Sequence, residues 1–130
     1  MKILVGYDGS NQAKDALELA TKHAVAFGAQ VYIVTSLFGE KQTTPQEIHD
    51  AEEGLEYARK LLTESGVTVE THLLIRGFSP GEDLVQFAKE KSMDEIIVGV
   101  KKVSPVGKLI FGSNARYVIL NAPCPVLSVR

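Results

Sequence analysis

Cysteine is almost missing from this chain. Cys124 stands alone, so no disulfide can form within the chain, and a cysteine-rich metal site is excluded. Charge of one sign is missing too. A net charge of -2 and an isoelectric point near 5.9 give no bulk attraction to DNA, RNA or an anionic membrane. No apolar run approaches the length needed to cross a bilayer. Met1-Lys2 passes straight into ILVGY, without the ordered regions of a secretory leader, so a cytoplasmic protein is expected. The three histidines, His23, His49 and His72, lie far apart with no i,i+4 pairing, and no serine sits in a glycine elbow. Ordinary surface histidines are therefore a better reading than a metal centre or a catalytic triad.

What is present is a core of ordinary size and a strict alternation. With 130 residues, 45% of them hydrophobic and 23% charged, the chain fits one domain over 1–130. Ile3-Leu4-Val5 forms a short apolar run. Ser10 then offers a cap to a helix with Ala13, Ala16, Leu17, Ala20, Ala24 and Phe27 on one face, closed by Gly28. Val31 to Leu37 reads as a second strand. Thr44-Pro45-Gln46-Glu47 is a capping box, and Ile48, Ala51, Leu55, Ala58 and Leu62 mark the face of the helix it opens. Val67 to Leu74 alternates like a half-exposed strand. Ser79-Pro80-Gly81-Glu82 is a second capping box, with Leu84, Val85 and Ala88 inward behind it. Ile96-Ile97-Val98 is continuous apolar sequence, as a parallel strand covered on both faces requires. A lysine-bearing loop follows, then a helix over about 114–121 and a strand over about 125–129.

The order βαβαβαβαβ predicts a doubly wound, five-stranded parallel sheet in an α/β/α sandwich. Ligands of such sheets bind beyond the C-terminal strand ends, where the strand order reverses. Three loops then matter: Tyr7-Asp8-Gly9-Ser10, Thr35-Ser36-Leu37, and Val98 to Asn114. The last is not a Walker A loop. Gly107-Lys108 is present, but Lys102 and Leu109 occupy the positions of the first glycine and the hydroxyl residue. Gly6 and Gly9 do not make a dinucleotide fingerprint. A receiver domain would need an aspartate ending the third strand and a lysine ending the fifth; the third runs into Leu74-Ile75-Arg76-Gly77, and no lysine follows the fifth. Asp8, ahead of Gly9-Ser10, suits either a self-stabilised turn or a ligand contact.

Taken together, ILVGYDGS, Ile97-Val98-Gly99, Gly112-Ser113 and NAPCPVLSV resemble the universal stress protein family along the whole chain. The absence of an S-G-G-x-D-S loop after the first strand separates it from the related ATP pyrophosphatases. The resemblance implies strand order 3-2-1-4-5 and a binding and regulatory module rather than an enzyme. It also implies a site for ATP or another adenine nucleotide, with Mg2+, between the first and fourth strands. Gly99, Gly112 and Ser113 match the family's phosphate frame, with Asn114 beside them and nine residues, Val103 to Phe111, between Lys102 and Gly112. Asp8 matches the position near adenine and ribose, and Thr35-Ser36 the strand end that meets the base. Two positions depart: Lys102 replaces a glycine, and Ala115 a hydroxyl residue. Lys101, Lys102 and Lys108 either supply charge to the phosphates or, at Lys102, obstruct them. The resemblance further implies a homodimer built through the last strand, by Val126, Leu127 and Val129. A dimeric interaction module that binds no nucleotide is the alternative.

Overall fold

The computed structural model describes residues 1–38, 43–100, 102–103 and 109–130, with the backbone alone at 102–103 and 109–110. Five strands form one parallel sheet: β1 (Lys2–Gly6), β2 (Gln30–Ser36), β3 (Val69–Leu74), β4 (Glu95–Gly99) and β7 (Val126–Val129). Their spatial order is β3-β2-β1-β4-β7, the expected doubly wound arrangement. β1 and β4 are central, and each buries three successive residues because helices cover both sheet faces. The pleat divides them between two cores. Ile3, Val5, Val31, Ile33 and Ile97 pack beneath α1 (Asn11–Phe27) and α2 (Pro45–Glu64). Leu4, Tyr32, Val34, Ile96 and Val98 pack beneath α3 (Pro80–Glu90) and α4 (Ser113–Asn121).

The helix signals hold with local corrections. The Ser10 hydroxyl accepts the Ala13 N–H at 3.1 Å, and α1 ends at Gly28 in the left-handed conformation. Phe27 does not face the core. As the last helical residue before the Gly28 turn it is 62% exposed, with its ring edge-on to His23. Thr44 caps α2 by accepting from the Glu47 N–H, and Leu55, Ala58 and Leu62 are buried. Ile48 and Ala51 are only half-buried. The box at α3 works differently from expectation. The Ser79 hydroxyl donates to the Glu82 carboxylate at 2.8 Å and makes no backbone cap. Instead Asn114 Oδ1, from the start of α4, accepts the Gly81 N–H at 2.9 Å. One helix thus supplies the missing cap of its neighbour.

The stretch after β4, read as a loop, contains a two-stranded antiparallel hairpin. β5 (Lys102–Val103) pairs with β6 (Leu109–Ile110). The last strand starts one residue later than expected, at Val126, although the Pro125 carbonyl still accepts the Ile96 N–H.

Candidate functional site

β1 hands the chain to β2 on one side, and β4 hands it to β7 on the other. Their two connections part at the C-terminal strand ends, and a cavity of about 420 Å3 opens there. Its floor is apolar: Val34, Leu84, Val98 and Val118. Its rim is polar and comes from four places, the Tyr7–Ser10 turn, the end of β2, the first turns of α2 and the start of α4.

The Tyr7–Ser10 turn aims α1 at this space. Asp8 Oδ1 accepts the Ser10 N–H at 2.9 Å, and Gly9 has a φ of +81°, which a side chain would strain. Asp8 is therefore a turn anchor as well as an exposed carboxylate on the cavity wall. The cap of α1 and the Gly112–Ser113 start of α4 both line the cavity. Gly112 is the N-cap of α4 and offers no side-chain acceptor. Helix starts carry unpartnered N–H groups and the positive end of the helix dipole, a setting that favours anions.

Gly99 has a second task besides lining the cavity. A Cβ there would lie 2.7 Å from the backbone carbon of Gln12, in the first turn of α1. The glycine lets α1 lie close over the end of β4.

The end of β2 is held from both sides. The Thr35 hydroxyl donates to the Tyr7 carbonyl at 2.7 Å. The Ser36 hydroxyl donates to Asp83 Oδ2 at 2.7 Å. Asp83 is fully buried in the first turn of α3, and its other oxygen accepts from Arg76 Nε at 2.7 Å. Arg76 also reaches the Glu90 carboxylate at 3.0 Å. Burial pulls the Arg76 guanidinium down, but the hydrogen bonds to Asp83 and Glu90 outweigh it and hold its pKa up. On the cavity wall, burial pushes the Tyr7 phenol up, and Tyr57 and Asp8 add to the shift.

Asp8, Ser36, Gly99, Gly112, Ser113 and Asn114, six residues singled out from sequence, thus share one cavity wall. Asn114 also serves α3, so its side chain is partly committed to structure. Lys101 and Lys108 lie outside the described residues, as does the side chain of Lys102, whose backbone belongs to β5. Sequence reasoning placed Tyr7 in a site loop without singling it out, and it missed Glu47 and Asp50 on the wall and Arg76 and Asp83 behind it. Glu47 was legible only as part of the Thr44–Glu47 capping box, and nothing in the spacing marked Asp50. Asp83 was overshadowed by Glu82, which fitted the capping pattern. Among the described residues lining the cavity, the charged side chains are all acidic: Asp8, Glu47 and Asp50.

Comparisons with known proteins match this architecture along the whole chain. The chain is 36% identical over 138 aligned residues to the universal stress protein in the QAH/OAS sulfhydrylase 3′ region of Thermus aquaticus, covering 98% of this chain and 97% of that one. A universal stress protein structure from Archaeoglobus fulgidus superposes with a TM-score of 0.92 at 42% identity, covering 100% of this chain and 98% of that one. A second structure from the same organism, solved in complex with dAMP, gives 0.87 at 37% identity with the same coverage. The family model described as the Universal stress protein family matches residues 1–130, and the chain belongs to that family.

Proposed function

We propose that this protein is a cytoplasmic stress-response regulatory module, not an enzyme, whose cavity binds an adenine nucleotide. One observation carries the reading. The cavity at the strand-order reversal has an apolar floor and two helix starts on its rim. The helix starts suit phosphate, and the apolar floor suits a flat base. The relative solved with dAMP, at 37% identity, supports the same ligand class. Asp8 and Ser36 serve the nucleoside in this reading; Gly99, Gly112, Ser113 and Asn114 border the phosphates, with Lys101 and Lys102 adding charge. Where ATP is the ligand, Mg2+ would accompany its phosphates.

Calorimetric titration with AMP, ADP and ATP tests this, together with mass spectrometry of small molecules released from the purified protein. Binding of at least one of the three is the expected result. If the loop lysines act on the phosphates, affinity rises from AMP to ATP and falls with salt. Lys102→Ala then weakens ATP binding about tenfold, corresponding to about 1.4 kcal/mol. If Lys102 obstructs the cradle, Lys102→Gly tightens it. No heat from any nucleotide at millimolar concentration overturns the reading.

The apolar surface of α4 and β7 favours a second activity, self-association. Ile119, Leu120 and Leu127 are exposed there, and β7 pairs only with β4 in the described sheet. A homodimer through β7 covers that edge. Val126 and Val129 pack against the two cores, which leaves Leu127 as the large exposed apolar residue of the strand.

A further inference from the structure

The helix starts around the cavity differ in charge. The start of α1 has Asp8 beside it, whose Oδ1 accepts the Ser10 N–H at 2.9 Å. α2 carries Glu47 in its first turn. α3 carries Glu82 and Asp83 in its first turn, and Asn114 caps it. α4 has no acidic residue in its first turn, and its N-cap, Gly112, brings no side chain. A carboxylate near a helix start offsets the positive end of the dipole. Of these four helices only α4 keeps that end uncompensated. The acidic wall faces it from elsewhere. α2 packs on β2 and β3 over one face of the sheet, and α4 packs on α3 and β7 over the other. From Pro45 to Ala58, α2 holds Glu47, Asp50, Glu52, Glu53 and Glu56, and neither lysine nor arginine. Glu47 and Asp50 line the cavity, with Asp8 on the wall between them and α4. The partner of Asp50 is the neutral Gln46 amide, at 2.8 Å. Among the described residues no salt bridge reaches Asp8, Glu47 or Asp50.

We propose that the cavity admits anionic charge at one end of its ligand only, and that Asp8, Glu47 and Asp50 exclude nucleotides carrying a second phosphate on the ribose. The proposal rests on the nucleotide reading above and narrows the ligand class to phosphates carried on a single arm. The three carboxylates are not a binding site in themselves; they set the sign of one wall. A phosphate at the start of α4 leaves the rest of the ligand to cross the cavity toward that wall. Whichever phosphate of a ribose bisphosphate takes the α4 start, the other meets like charge. Exposed charges are weak one at a time. Several on one wall act together, and the apolar floor beside them strengthens their field. A chain of phosphates on one arm escapes this repulsion, because its charge stays at the α4 end.

The test titrates the purified full chain with ADP and with its isomers adenosine 3′,5′-bisphosphate and adenosine 2′,5′-bisphosphate at low salt. All three have the same atoms and differ in which arm carries the second phosphate. Both isomers are expected to bind at least about tenfold more weakly than ADP. The ratio is expected to shrink to within about threefold in about 0.5 M salt, where screening shortens the reach of exposed charge. The double variant Glu47→Gln, Asp50→Asn keeps the shape of the wall, the Thr44 cap and an acceptor for Gln46 while removing two charges. It is expected to bring the low-salt ratio to within about threefold as well. Isomers that bind as tightly as ADP overturn the proposal. So does a penalty that neither salt nor the neutral variant reduces, which marks a steric limit instead. Both outcomes leave the nucleotide reading standing. If none of the three binds, the proposal falls, and the AMP and ATP titrations decide the nucleotide reading by themselves.

Discussion

Gly99→Ala separates two roles that sequence alone assigns to one glycine. If Gly99 serves only a phosphate, an alanine there disturbs ligand binding and leaves stability alone. The structure predicts otherwise. The new Cβ would lie 2.7 Å from Gln12 C and Cβ and 2.8 Å from Gln12 O, where ordinary contact begins at 3.4 Å. Backbone cannot swing aside like the end of a side chain, so the first turn of α1 must retreat by about 0.7 Å. That turn leads directly into Ala13, Ala16 and Leu17, which are buried against the sheet. Overpacking of this kind costs about 1–3 kcal/mol. With a urea slope of about 2 kcal/mol/M, the denaturation midpoint should fall by about 0.5–1.5 M. Gly6→Ala is the control. Its Cβ would meet Leu84 Cδ1 at 2.7 Å, the far end of a flexible side chain, and the loss should be under about 1 kcal/mol. Equilibrium urea unfolding of ligand-free protein measures both. A Gly99→Ala midpoint within about 0.2 M of wild type refutes the packing argument.

Asp8→Asn should keep the turn, since its amide oxygen can still accept the Ser10 N–H, whereas Asp8→Ala should lose about 0.5–1.5 kcal/mol in the same unfolding assay. Nucleotide titration of the Asn variant then reports the carboxylate free of the turn. Tyr7→Phe tests the raised phenol. A phenol whose folded pKa lies above its unfolded value stabilises the fold fully below about pH 10, and that contribution is lost as pH rises through the folded pKa. Urea midpoints from neutral to alkaline pH should therefore fall less steeply for Tyr7→Phe than for wild type. The slope does not vanish, because burial and Glu70 raise Tyr32 as well. Equal slopes would contradict the assigned direction. Leu127→Lys should yield monomer in sedimentation velocity without lowering the unfolding free energy of the protomer by more than about 0.5 kcal/mol, since the residue is exposed. A dimer that survives the substitution removes β7 from the interface.

Ile3-Leu4-Val5 and Ile96-Ile97-Val98, short and set between helical patterns, read as covered strands, and the helical spacing from Ala13 to Ala24 reads as one apolar face. Periodicity is local, so the sequence by itself determined the alternation of strand and helix and hence the class of sheet. The sequence also determined the side of the sheet on which Asp8, Gly99 and Gly112 lie, because strand ends precede their loops in the chain. What the spacing could not express is contact between distant segments. Asn114 caps α3 across 33 positions, Ser36 meets Asp83 across 47, and Gly99 bears on Gln12. Each depends on how closely two packed elements approach, and that distance is set by the side chains of the whole core. The same holds for Phe27, whose spacing is right for the core but whose position at the helix end leaves it exposed. Only the tertiary structure decided which hydroxyl proton points where, because a proton's direction follows from its buried partner, and Asp83 becomes that partner only once α3 is laid against the end of β2.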